Sequence, residues 1–108
     1  EFVSDRVRPG EEVFREGDAP DSFYVVVAGT LEMLQADLWG GIPVKQGVLE
    51  EGDFFGDAGL LEDQPRSVTV RARGDGLLLR LDRDRFLDLL EKDPDYRRFF
   101  LHSARANV

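Results

Sequence analysis

The sequence predicts a mainly β domain that closes with helices, and three observations carry that expectation. Turn-forming residues recur at short intervals through the first three quarters of the chain, at Pro9-Gly10, Gly17 to Pro20, Gly29, Gly40-Gly41, Gly52, Asp63 to Pro65 and Gly74 to Gly76. The segments between them are short and rich in Val, Leu, Phe and Tyr, as antiparallel strands of a sandwich or barrel are, with no alternating βαβ pattern. After Asp82 the apolar period changes to a helical one.

Each element follows from local pattern. Phe23 to Val27 is an unbroken apolar run, the signature of a strand covered on both faces. Val68, Val70 and Ala72 alternate with Thr69, Arg71 and Arg73, which puts the two arginines on an exposed face. Leu77, Leu79 and Leu81 alternate in the same way with Leu78, Arg80 and Asp82. Phe86, Leu89 and Leu90 keep helical spacing, with Asp82 or Asp84 placed to cap the start. A second helix is expected at Pro94, a residue suited to a first turn, with Asp93 as its N-cap. Tyr96, Phe99 and Phe100 give that helix an apolar stripe for core or dimer packing. His102, the single histidine, falls late in it, where a positive charge suits the helix dipole.

Composition narrows the function classes. At 108 residues with 42% hydrophobic residues, the chain makes one domain with a modest core. The absence of cysteine removes disulfides, thiolate metal sites and cysteine nucleophiles, and fits a reducing compartment, so a cytoplasmic location is expected. A formal net charge of −8 repels nucleic-acid phosphate, so no direct contact with DNA or RNA is expected. Apolar stretches are far too short to span a membrane. One histidine cannot assemble a polyhistidine metal site, and no nucleophile elbow, Walker loop or Ser/His/Asp set is present. The expectation is therefore no enzyme, no metal and no cofactor.

The stretch with chemical content is Gly52 to Val70, GDFFGDAGLLEDQPRSVTV. Gly56, Asp57, Ala58 and Gly59 form a small-residue segment in which backbone N–H groups can approach a ligand and converge on an anion. Leu60-Leu61 anchors a short helical turn. Pro65 stiffens the approach to Arg66, whose fork can meet two phosphate oxygens, and Ser67 adds a hydroxyl and an N–H. Asp57 is an acceptor suited to a sugar hydroxyl.

Through these residues the chain resembles the cyclic-nucleotide-binding domain family, which includes bacterial catabolite activator proteins, regulatory subunits of cyclic-AMP-dependent protein kinase and nucleotide-gated channels. The family pattern Phe-Gly-Glu, then Pro-Arg-Ser/Thr/Ala before an apolar strand, is present as Phe55-Gly56-Asp57 and Pro65-Arg66-Ser67. A second matching stretch runs from Gly17 to Leu31, GDAPDSFYVVVAGTL. The resemblance implies an antiparallel double-stranded β-helix, a jelly-roll barrel, over residues 1–82 with a phosphate-binding turn at 56–67. Residues 83–108 are then the C-terminal helices of the same domain.

It further implies that cyclic AMP or cyclic GMP is the ligand and that Arg66 pairs with the cyclic phosphate. Gly59 and Ser67 complete the phosphate cradle, Gly56 lets the sugar come close, and Asp57 accepts from the ribose 2′-hydroxyl. The base lies between the barrel wall, with Met33 as a wall contact, and the C-terminal helix, which also offers a homodimer contact. The domain is then a sensor within a larger signalling or transcription-regulatory protein. Two positions depart from the pattern. Asp57 is one methylene shorter than the family's glutamate, and Ala58 stands where larger apolar residues are usual. These departures sustain an alternative expectation, a degenerate barrel that serves as an interaction module or takes another effector.

Overall fold

The structure is a computed structural model that describes residues 2–106, with side chains described as far as Phe100. Its elements are β1 (Val3–Val7), β2 (Glu12–Phe14), β3 (Ser22–Ala28), β4 (Leu31–Gln35), β5 (Val44–Leu49), β6 (Phe54–Phe55), α1 (Asp57–Glu62), β7 (Thr69–Ala72), β8 (Gly76–Asp82), α2 (Arg83–Lys92) and α3 (Pro94–Ala106). Hydrogen bonding sorts the strands into two four-stranded antiparallel sheets, ordered β1-β8-β3-β6 and β2-β7-β4-β5. The sheets face one another without closing into a continuous cylinder, so the mainly β shell with C-terminal helices is a jelly-roll sandwich.

Two apolar clusters hold the shell together, and β3 belongs to both. Between the sheets lie Tyr24 and Val26 with Leu31, Phe55, Val70 and Leu78. On the outer face of the first sheet, Phe23 packs with Leu60, Leu81, Phe86, Leu90 and Phe100 beneath the helices. The apolar run of β3 is thus explained from Phe23 to Val26, whose successive side chains point to opposite covered faces, whereas Val27, expected to be covered too, is 37% exposed. The β8 pattern resolves differently. Leu77, Leu79 and Leu81 do share a face, but it is the outer one. Only Leu81, paired with Phe23 and roofed by α2, is deeply buried there, while Leu78 fills the sandwich interior.

Helix starts match their local chemistry. Asp93 accepts from the backbone N–H of Asp95 at 3.0 Å, the N-cap bond, with Pro94 in the first position of α3. Asp82 is the N-cap residue of α2 by backbone geometry, without a side-chain cap bond. Of the α3 stripe, Phe100 is buried, while Tyr96 and Phe99 are each about half exposed. The side chain of His102 lies outside the described residues, as do residues 107 and 108 of the expected helical segment.

Candidate functional site

The site forms where the first sheet ends and α1 begins. Gly56 adopts φ 88°, ψ −1° as the N-cap residue of α1, a left-handed conformation that glycine takes at low cost. It turns the chain out of β6 and directly into the helix. A Cβ placed there would lie 2.9 Å from the Ser22 carbonyl oxygen and 3.1 Å from Arg66 Nη1. Gly56→Ala therefore combines backbone strain with a collision against main chain. The expected loss is about 1–3 kcal/mol of folding stability, read from urea unfolding, and an unchanged midpoint would show that the turn tolerates a side chain.

Arg66 is fixed from both its backbone and its side chain. Its N–H donates to Asp18 O at 2.8 Å, and its carbonyl accepts from Gly17 N–H at 2.8 Å, tying the segment before β7 to the Gly17-Asp18 turn. The side chain points inward and is 4% exposed. Nη1 donates to Gly56 O at 2.7 Å and Nη2 to Ser22 O at 2.6 Å, so the guanidinium bridges β3 to the start of α1. Phe14 lies under it, with the guanidinium carbon 4.1 Å from the ring centroid, a cation–π contact. Asp21 Oδ1 is 3.7 Å from Nη2 but solvent-exposed, so that pair is weak. Burial pushes the Arg66 pKa down, while Tyr24, Asp21, Asp18 and Asp57 counter it.

Asp57, at the first position of α1, is 6% exposed. Burial pushes its carboxyl above the ordinary aspartate value, against its own and Ala58's backbone N–H groups and the Arg66 charge. Among the described residues, the buried side-chain polar atoms without a hydrogen-bond partner are Asp57 Oδ2 and Arg66 Nε. Both belong to the same site.

The raised carboxyl has a consequence for pH. The folded protein keeps this proton at pH values where the unfolded chain has released it. Its stabilising contribution is complete below the ordinary carboxylate pKa and is lost as pH rises through the folded value. Asp57→Asn should accordingly raise the melting temperature near pH 7 and change it little near pH 3. A gap that is the same at both pH values would show that the carboxylate is not strained by burial.

A cavity of about 840 Å³ opens in front of these groups. Gly56, Asp57, Ala58, Gly59, Arg66 and Ser67 all line it, and so does Met33 on β4. Arg66 and Asp57 form its buried floor, Met33, Ala58 and Gly59 are partly covered, and Ser67 sits exposed at the rim. Sequence reasoning missed Phe14 and the Ser22 carbonyl as the groups that orient Arg66. Neither carries a local signal, because Phe14 reads as an ordinary strand residue and a main-chain carbonyl has no identity in sequence. Arg71 and Arg73 pair with Glu32, which they hold below the usual carboxylate range through the Arg71 hydrogen bond first, and they take no part in the cavity. No group of three or more acidic or histidine side chains among the described residues is placed to hold a metal.

A jelly-roll sandwich with a cavity of mixed polar and apolar lining, floored by a buried arginine beside a short helix, is the architecture of a pocket domain. The chain belongs to the cyclic nucleotide-binding domain family, whose model matches residues 4–93. It is 38% identical over 98 residues to a cAMP-dependent protein kinase regulatory subunit of Aspergillus fumigatus, covering 91% of this chain and 23% of that protein. It is 32% identical to the potassium channel AKT3 of Oryza sativa subsp. japonica, covering 86% of this chain and 11% of that protein. Among solved structures it is similar to the Thermus thermophilus catabolite activator protein, with a TM-score of 0.79 and 28% identity over 97% of this chain and 46% of that one. The chain spans less than a quarter of the length of either curated relative. It is therefore a domain of the kind that recurs within regulatory proteins.

Proposed function

We propose that this domain senses cyclic AMP or cyclic GMP within a larger signalling or transcription-regulatory protein and performs no catalysis itself. The observation that carries the reading is Arg66, a buried guanidinium on the floor of a cavity whose walls include the small residues of α1. Two of its nitrogens anchor to main-chain oxygens, while Nε has no partner among the described residues. A cationic fork so oriented is suited to a singly charged cyclic phosphate, and its charge-assisted bonds strengthen away from bulk water. Gly59 and Ser67 supply further donors at the same wall, Gly56 admits the sugar, and Met33 offers an apolar surface to the base. The relatedness to a cAMP-dependent kinase regulatory subunit and to a catabolite activator protein supports this ligand class.

Asp57 is the group for the ribose 2′-hydroxyl in this reading. With its short side chain held near its own backbone N–H groups, it engages the sugar through a bridging water or at a shortened reach. Output would travel through α2 and α3, which pack on β3 and α1 around Phe86 and Phe100. A ligand moves those helices only by binding one of their arrangements more tightly than another. The half-exposed Tyr96 and Phe99 give α3 a surface for a second copy of the chain. No helix among the described residues is long and apolar enough to cross a membrane. The cysteine-free composition supports a cytoplasmic setting, and the acidic surface supports a domain that leaves nucleic acid to others. Calorimetric titration with both nucleotides tests the proposal. Saturable heat from at least one is expected, and none at millimolar ligand would leave only the scaffold.

A further inference from the structure

The loop that joins β4 to β5, residues 36–43, reads Ala-Asp-Leu-Trp-Gly-Gly-Ile-Pro and is apolar where a surface turn is ordinarily polar. Leu38, Trp39 and Ile42 are 95%, 92% and 89% exposed, so their side chains stand in solvent and pack on nothing. Val44, the first residue of β5, continues the apolar tip and is half exposed. Single exposed hydrophobics are ordinary, but several on one loop mark a contact site. The loop is also built to hold its shape. Asp37 Oδ1 accepts from the Trp39 N–H at 3.2 Å, Oδ2 accepts from the Gly41 N–H at 3.0 Å, and the Asp37 main-chain oxygen accepts from the Gly40 N–H at 3.1 Å. A Cβ on Gly41 would collide with that carboxylate, so glycine is what lets the bond form. Pro43 has no N–H to satisfy.

We propose that this loop is a lipid-contact site, which inserts Leu38, Trp39 and Ile42 into the interface of a zwitterionic membrane. Size, backbone chemistry and residue type all favour lipid over a second copy of the chain. A stable dimer needs about 800 Å² from each partner, spread over about 20 residues or more, and so short a loop does not supply that. A protruding tip also needs a matching groove on a protein, whereas a fluid bilayer takes its shape. Backbone groups that leave water must be satisfied internally, and here Asp37 satisfies three of them. Tryptophan settles at headgroup level, where its apolar body is covered and its indole N–H stays wet. Charge selects the kind of lipid. Between residues 36 and 48 the charged side chains are Asp37 and Lys45, so the segment is neutral within a chain of net charge −8. The rest of the surface is repelled by an anionic bilayer, and the neutral tip therefore favours phosphatidylcholine.

Trp39 is the single tryptophan of the chain, so its fluorescence reports on this loop alone. The test is titration of phosphatidylcholine vesicles into the wild-type chain, with co-sedimentation as the second readout. The emission should shift to the blue as vesicles are added, and the protein should pellet with them. Leu38→Ala and Ile42→Ala together should lower the vesicle partition by at least about tenfold, the least that covering one such side chain contributes. Both residues stand in solvent, so the double variant should keep its fold, which circular dichroism checks. Phe99→Ala, which trims a half-exposed ring on α3, should leave the partition unchanged. Replacing part of the phosphatidylcholine with phosphatidylserine should weaken binding at low salt, and added salt should restore it. Absence of any shift or pelleting, or an equal loss in the Phe99 variant, would overturn the inference. Stronger binding to the anionic vesicles would overturn it as well. So would a blue shift without lipid that grows with protein concentration alongside a doubled mass, which would give the tip to a second copy instead.

Discussion

Arg66→Ala is expected to weaken cyclic-nucleotide binding by about tenfold to a hundredfold, the equivalent of one charge-assisted hydrogen bond or slightly more. The same change removes the bridge from Nη1 and Nη2 to Gly56 O and Ser22 O, so the free domain also loses stability. The two effects separate by experiment. Affinity comes from titration below the unfolding transition, and stability from urea melts of the ligand-free protein. Arg66→Lys sharpens the comparison, because it keeps the charge and gives up the fork that spans two carbonyls and meets the anion at once. Lysine should restore part of the stability and little of the affinity. An alanine variant that binds as tightly as the wild type would mean that the buried guanidinium only braces β3 against α1.

Phe86→Ala is expected to cost about 3–5 kcal/mol of folding stability, the range for truncating a fully buried phenylalanine. Phe86 is 0% exposed and stands at the centre of the cluster under the helices. It stacks on Phe23 at 4.8 Å between ring centroids and meets Phe100 edge-on at 5.2 Å. Removing it opens a hole that β3, α2 and α3 all border, and the surrounding structure relaxes only partly to fill it. Phe99→Ala makes the control. That ring is half exposed and touches Phe54 and Phe100 from outside, so its loss should cost under about 1 kcal/mol. Equal losses in the two variants, read from denaturant midpoints, would show that the aromatic cluster is not centred on Phe86.

Much of this molecule was legible from residue types alone. Period-two alternation in Val68 to Ala72 and the turn glycines read correctly because strand direction and left-handed turns are local backbone properties. The Asp93-Pro94 helix start read correctly for the same reason, since capping involves residues two positions apart. The small-residue segment and Arg66 could be singled out because so few residue types suit a phosphate.

The tertiary structure alone decided which face of β8 counts as interior. Alternation marks two faces but does not say which one a helix will roof, and Leu81 is buried only because α2 turns back over it. The same holds for Phe14 beneath the guanidinium and the Ser22 carbonyl that anchors it, which come from β2 and β3. Composition and pattern determined a cysteine-free, acidic, mainly β domain with an anion-suited turn. Contacts between residues 44 or 52 positions apart, such as Ser22 with Arg66 or Phe14 with Arg66, depend on how two sheets pack. That packing is a property of summed apolar burial, which no local window of sequence contains.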